Sequence, residues 1–524
     1  MGWGVLPPPR GFWNDNAMTP PSKNLGDVFA QHRAADRVAV VDLFDAANPR
    51  EIGFAELNAG CDAAGRGMLR AGLKPGDRVG ILALNRVEFL ETLFGAMRAG
   101  LVPVMINVKL PAPQVQYIVA DSGSKIVFCD PDLRRLCAPD TRCVVFGGDG
   151  ADGYAAFRDP GPLDSFVPGP RDVAEQPYTS GSTGRPKGVL LGHHGQCWMI
   201  DALVESRDLT ADDCGVISAP LYHKNALLAV KSALAAGGRV VLLARFDVKQ
   251  YIDAIGRYRL TMLTGVPTMY ALMLQQEALL DATDLSSVRA MSMGSAPASE
   301  VLLDTLQARF PQARINLNYG ITEGGPVLLS WKHPKGLPRP RTTVGYPLEG
   351  VEVRFVGGPD ANEGTLHTRN PGVMLGYHNL PEETARVLSE DGWLDTGDIL
   401  RRDADGWFYF VGRGDDMFVT GGENIYPGDV ETMLERHPDV MQAVVVPAPN
   451  ALKAHVPHAF VVKRQGSALT EAEVKTHALA NAPPYAHPRR VFFVDELPLA
   501  GTNKIDRKRL KELAAEAAQA DGTA

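Results

Sequence analysis

Short, largely apolar runs punctuate this chain at 78–84, 102–108, 125–129, 239–244, 260–264, 289–293 and 314–317. Between them lie longer stretches whose apolar residues recur at helical spacing, as over 54–71 and 88–99. A brief apolar run suits a strand buried on both faces, and strands alternating with helices imply parallel pairing and an α/β architecture. Asp247 is placed to cap one such helix, because Val248, Tyr251, Ile252 and Ile255 behind it fall at i, i+3, i+4 and i+7. The runs at 260–264, 289–293 and 314–317 give way to Gly or Asn. In open parallel sheets ligands bind beyond the carboxyl ends of strands, which is where Gly294-Ser295-Ala296-Pro297 and Asn318-Tyr319-Gly320 fall.

From 344 to 411 short strands broken by Gly and Pro predict a small β-rich unit. After Gly412 the texture changes again. A helix over 428–437, strands over 442–446 and 459–463, a helix over 471–480, a strand over 490–493 and a closing helix over 506–518 predict a compact α+β module. The boundary is placed at Arg413-Gly414-Asp415, giving a large N-terminal domain over 1–414 and a smaller C-terminal domain over 415–524. The Pro-rich 1–24 and the Gly-, Pro- and Asp-rich 149–176 have no clear period and are predicted irregular, the second as a surface connection.

At 524 residues the chain is too long for one simple core. Its net charge of −8, with no dense basic run beyond Arg507-Lys508-Arg509 and Lys511, argues against a nucleic-acid partner, and that cluster reads as a solvated helix face. The six cysteines contain no CxxC pair and read as reduced, mostly buried thiols. The histidines show no metal-ligand spacing, so a tightly bound structural metal is not expected. The N-terminus lacks a signal-peptide pattern and no apolar run approaches bilayer length, so a cytoplasmic protein without membrane insertion is expected.

The chemistry concentrates in Tyr178-Thr-Ser-Gly-Ser-Thr-Gly-Arg-Pro-Lys-Gly-Val189. Gly181, Gly184 and Gly188 let a backbone bring its N–H groups against an anion, while Thr179, Ser180, Ser182 and Thr183 add hydroxyls and Arg185 and Lys187 add charge. That is what a polyphosphate needs. It is not a Walker A loop, because Lys187 lies between Pro186 and Gly188. A solvated Gly/Ser/Thr linker is the competing reading, opposed by the apolar Val189-Leu190-Leu191 that pins the loop to a strand.

With the motifs Pro220-Leu-Tyr-His223, Tyr319-Gly-Ile-Thr-Glu323, Trp393-Leu-Asp-Thr-Gly-Asp398, Gly412-Arg413, Gly421-Gly-Glu-Asn-Ile-Tyr-Pro427 and Asn503-Lys-Ile-Asp-Arg507, the chain resembles the adenylate-forming superfamily of acyl-CoA synthetases, firefly luciferase and peptide-synthetase adenylation domains. The resemblance runs from about residue 25 to Arg507 with the motifs in the family's order. It implies an AMP-forming carboxylic acid–CoA ligase: ATP converts a small-to-medium or aryl acid to an acyl-adenylate, and coenzyme A then displaces AMP. By resemblance, Lys504 bridges carboxylate and phosphate oxygens during adenylation, and Thr183 with Glu323 holds Mg2+. Asp398 takes the ribose hydroxyls and Arg413 adds a ribose or phosphate contact. Gly294 to Pro297 and Asn318 to Gly320 flank adenine with Tyr319 stacked on it, and Thr322 adds to the nucleotide set. Tyr319 as a plain core residue and Glu323 as a helix N-terminal carboxylate remain the alternatives.

The resemblance also implies a C-terminal domain that rotates about Asp415, withdrawing Lys504 and bringing Gly421, Gly422 and Glu423 to the acyl-adenylate as a pantetheine tunnel. His223 matches the aromatic residue at that tunnel's mouth, or it packs against Tyr222. The acyl pocket is expected from His223, Lys224, Asn225, Gly294, Gly320 and Gly324. Lys224 or Asn225 is expected to meet a polar substituent of the acid, such as a hydroxyl or a second carboxylate, unless Lys224 points to solvent. No acidic residue stands at 223, where peptide-synthetase domains grip an amino group, so an amino-acid substrate is disfavoured. The sequence departs from the family's usual pattern at Leu499, Ala500, Asn503 and Ala454-His455. An acyl-AMP ligase serving a carrier protein, a non-catalytic nucleotide-binding relative, and assembly as a homodimer all stay open.

Overall fold

A computed structural model describes residues 23–148, 150, 152–180, 185–294, 296, 298–414, 416–420, 423–450, 452–499 and 505–520. The largest sheet has seven strands in the order Arg314–Leu317, Ala290–Met293, Met262–Gly265, Cys214–Ile217, Arg239–Leu243, Val38–Leu43, Arg50–Gly53. All neighbours pair in parallel except the last, which closes one edge antiparallel. A second, wholly parallel sheet runs Val102–Met105, Arg78–Leu82, Ile126–Cys129, Cys143–Val145. The inner strands are buried on both sides, as largely apolar runs should be, while the edge strands Arg314–Leu317 and Arg50–Gly53 are partly exposed.

Helices Phe54–Arg70 and Val87–Arg98 join both sheets in one cluster that includes Val40, Leu242, Val79, Ile81 and Ile126. These two helices approach closely because glycines meet at the crossing: a Cβ on Gly95 would collide with the Cys61 carbonyl, and one on Gly65 would stand 2.7 Å from the Gly95 carbonyl. The crossing is locked by Arg98, whose buried guanidinium donates to Asp62 Oδ1 at 2.8 Å, Asn58 Oδ1 at 2.6 Å and the Gly26 carbonyl at 2.9 Å. Asp247 caps helix Val248–Tyr258 by accepting from the Gln250 amide at 2.9 Å, as its spacing predicts.

The β-rich unit is an antiparallel sheet of Glu352–Asp360, Glu363–Arg369, Leu394–Arg402 and Phe408–Arg413. Beyond it a five-stranded sheet carries Glu423–Ile425, Phe418–Thr420, Ala454–Lys463 and Val440–Asn450, with Arg490–Phe493 parallel to Ala454–Lys463. Alternation along its long hairpin sends Val445 and Val461 toward helices Pro427–Glu435 and Glu471–Asn481. It sends Val444, Val446 and Phe460 toward helix Arg507–Ala520. The architecture is the expected one: parallel α/β sheets, a β-rich subdomain and a C-terminal α+β unit.

Three local expectations change. The hairpin strands run well beyond 442–446 and 459–463, because each supplies the other's ladder as far as Asn450 and Ala454. The stretch 149–176 is not wholly irregular: it contains helix Tyr154–Phe157 and strand Val173–Glu175, both too short to show a period. The basic cluster at 507–511 is not simply solvated, since Arg507 donates to Glu431 at 2.7 Å and Lys511 to Asp416 at 3.1 Å. All six cysteines are free and buried, and no helix among the described residues is long and apolar enough to cross a membrane.

Gly95→Ala is expected to destabilise the N-terminal unit by about 2 kcal/mol, because backbone rather than a mobile side chain stands in the way. An unchanged urea-unfolding midpoint would contradict this reading of the crossing.

Candidate active site

Strand Tyr178–Ser180 runs antiparallel to Pro186–Gly192, and the register sets Thr179 directly opposite Lys187. The arm is tied down where the Tyr178 hydroxyl donates to Asp121 at 2.6 Å. Gly181, Ser182, Thr183 and Gly184 lie outside the described residues, as do Ser295, Pro297, Asp415, Gly421, Gly422 and Lys504 and the side chain of Ser180.

The Thr179 hydroxyl donates to Glu323 Oε1 at 3.2 Å, and the Tyr377 hydroxyl donates to the same oxygen at 3.1 Å. Glu323 stands in a turn, not at a helix start. Burial pushes the Tyr377 phenol well above its usual range, and the Glu323 charge adds to that, so it stays a donor. Lys187 donates to Glu383 at 2.6 Å and holds its ammonium 5.1 Å from the centre of the Tyr377 ring.

The segment after strand Arg314–Leu317 turns back on itself, since the Leu328 amide donates to the Tyr319 carbonyl at 3.0 Å. Gly320 is required there: an added Cβ would strike the Pro326 carbonyl. Asn318 is fixed from both sides, donating to Ser292 Oγ at 2.5 Å and accepting from the Trp331 indole at 2.6 Å. Tyr319 is buried and donates its hydroxyl to Asp398 Oδ2 at 2.8 Å. Asp398 faces Arg413 across the antiparallel ladder, with 3.2 Å between Oδ1 and the guanidinium.

These groups converge on one cleft of about 1100 Å³. Asn318, Tyr319, Gly320, Thr322 and Glu323 line it, with Thr179, Lys187, Asp398 and Arg413 completing the wall around them. His223, Lys224, Asn225, Gly294 and Ala296 also line it. Gly324 is turned instead toward Ile321 and Leu394, and exposed Glu423 is not part of the lining. The C-terminal helix Pro427–Glu435 adds Asp429, Thr432 and Met433, followed by Arg436, so both units wall the same space.

His223 stands at the N-cap position of helix Lys224–Ala235 without a side-chain capping bond, and its ring meets Tyr222 edge-on at 4.5 Å between centroids. The ring thus packs against Tyr222 while lining the cleft. Lys224 does not point to solvent. It is buried, donates to Gln196 Oε1 at 2.9 Å and is ion-paired to Glu175, which also accepts from Lys231 at 2.8 Å. Glu175, Gln196, Lys231, Tyr377 and Glu383 were not anticipated. One signal was available: Lys224 and Lys231 stand seven apart, on the same face of a mostly apolar helix.

The family described as AMP-binding enzyme matches residues 27–378, and its AMP-binding enzyme C-terminal domain matches 429–504. A feruloyl-CoA synthase of Amycolatopsis sp is 35% identical over 462 residues, covering 86% of this chain and 92% of that protein. The fatty acid–[acyl-carrier-protein] ligase ScoC of Streptomyces coeruleorubidus is 32% identical over 483 residues, covering 88% and 92%. Among solved structures, the anthranilate CoA ligase AuaEII in complex with anthranoyl-AMP superposes with a TM-score of 0.86 at 26% identity, covering 96% of this chain and 99% of that one. A cleft walled by both units, on a chain matched along nearly its whole length, places this protein in the AMP-binding enzyme family.

Proposed function

We propose that this chain is an AMP-forming acid–CoA ligase acting on a small-to-medium or aryl carboxylic acid. The observation that carries the reading is the single cleft in which Thr179, Glu323, Tyr319 and Asp398 share space with the His223–Lys224–Asn225 helix start. Its volume of about 1100 Å³ supports a site that takes a nucleotide and an acid together. A carboxylate is a poor acylating agent because its leaving group would be oxide. In the first step a carboxylate oxygen attacks the α-phosphorus of ATP and the bond to pyrophosphate breaks. In the second the CoA thiolate attacks the carbonyl carbon, and the bond to AMP breaks. The enzyme's share is to hold the groups in line and balance phosphate charge.

Within that scheme Asp398 accepts from the ribose hydroxyls, exchanging partners with Tyr319 and Arg413. Lys187 is placed for phosphate once it leaves Glu383. The proposed nucleotide set also takes in Thr179, Ser180, Gly181, Ser182, Thr183, Gly184, Gly294 to Pro297, Asn318, Gly320 and Thr322. Glu323 fits a hard cation: it is one carboxylate beside hydroxyl donors, and among the described residues no group of three His, Cys, Asp or Glu side chains could hold a metal alone. Mg2+ arriving on ATP would supply charge neutralisation at the phosphates. Lys504 is assigned to adenylation, Asp415 to the hinge between 1–414 and 415–524, and Gly421, Gly422 and Glu423 to the CoA tunnel. Buried, unpaired thiols fit a reducing interior, so a cytoplasmic setting is proposed.

A carrier protein in place of CoA is the second reading, favoured by the similarity to the carrier-protein ligase. AMP release that depends on free CoA supports the first reading; release only with a carrier protein supports the second. The overall test is a panel of carboxylic acids assayed for pyrophosphate and AMP from ATP, and no release with any acid would end the proposal. Lys504→Ala is expected to slow adenylation by about 100-fold or more while sparing thioester formation from supplied acyl-AMP. Asp415→Pro, which restricts φ, is expected to impair the thioester step more than adenylation, as measured in separate half-reactions. Equal loss in both would refute the hinge.

A further inference from the structure

The acyl side of the cleft ends on a charge cluster that is incomplete. Lys224, which lines the cleft, has a side chain only 4% exposed, Lys231 1% and Glu175 0%. Two ammonium groups thus share one carboxylate, leaving a surplus positive charge away from water. Among the described residues Glu175 is the one acid that pairs with these lysines, and both its oxygens are taken, one by each lysine. Donors are in excess as well. Lys224 spends two of its three N–H groups, on Glu175 and on Gln196 Oε1. The Gln196 amide nitrogen is buried as well and donates to no group among the described residues.

A buried cation without a full counter-charge and a buried amide without an acceptor are each costly. One kind of group corrects both faults: an acceptor-only anion entering from the cleft. A hydroxyl would supply an acceptor but no charge, and an ammonium would worsen the imbalance. Two lysines hold the Glu175 carboxyl down to about 2, and burial, aided by the Lys231 charge, brings Lys224 down to about 8. The two ion pairs themselves place both ammonium groups on the one carboxylate.

We propose that the acid activated here carries a second carboxylate at its far end, received by the Lys224 ammonium and the Gln196 amide. The product is then the CoA monothioester of a dicarboxylic acid. This rests on the ligase reading above and narrows its substrate class. Lys224 recognises the unreacting end of the acid. Lys231 and Glu175 are positioning residues that hold the ammonium at the cleft wall.

The test uses the full chain with ATP and CoA and a ladder of aliphatic and aromatic dicarboxylic acids. Each diacid is compared with its own monomethyl ester, which has the same reacting end and nearly the same size. At least one diacid is expected to exceed its half-ester in kcat/KM for AMP release by roughly 30-fold or more. Lys224→Met, which leaves Glu175 and Lys231 as a neutral pair, should bring that ratio near unity. Gln196→Leu should lower it by about tenfold, and it supplies the mutational answer if Lys224→Met does not fold. AMP release with half-esters or other monoacids as efficient as with every diacid overturns this inference and leaves the ligase reading standing. So does a diacid preference untouched in the variants. No AMP with any acid overturns both.

Discussion

The organising constraint is directional. Strands that pair in parallel and are joined by helical crossovers must all release the chain at the same edge of the sheet. Ile217, Gly265, Met293 and Leu317 are four such exits in the large sheet. The segments that follow supply Pro220 to Asn225, Val266, Gly294 and Ala296, and Asn318 to Glu323 to one wall of the cleft. Residues separated by a hundred positions in sequence share a site because hydrogen-bond polarity leaves the loops nowhere else to go.

The facing wall obeys a different rule. In the antiparallel sheet, register alone puts Asp398 opposite Arg413, and in the arm at 178–192 register puts Thr179 opposite Lys187. The polar groups of the cleft are already engaged with one another: Thr179 and Tyr377 with Glu323, Tyr319 with Asp398, Lys187 with Glu383. A ligand entering such a site exchanges partners rather than finding vacant ones. The groups are thus held near their working positions before it arrives.

Much of this was readable in the sequence, for physical reasons. Four-residue strands such as Ile126–Cys129 announce themselves because burial on both faces forbids polar residues. The capping role of Asp247 was visible because it is local. Other features were hidden because their causes are not local. Glu175 sits in a three-residue strand, and its meaning depends on Lys224 and Lys231, 49 and 56 positions away. Tyr377 reaches Glu323 across 54 positions. The extent of the C-terminal hairpin was set by mutual ladder pairing, which neither strand displays alone. The one neglected clue was two lysines on a single apolar helix face, where charge has no reason to be unless something answers it.

The burial of every thiol has a practical corollary. Cys61 and Cys197 are pushed up to about 12 by burial, and none of the six native sulfurs presents itself at the surface. A cysteine installed at an exposed site, such as Glu516 on the last helix, would be the one handle available to a maleimide dye in otherwise native protein. The chain is thus already suited to spectroscopic distance measurements between its two units, without first stripping out its own sulfur.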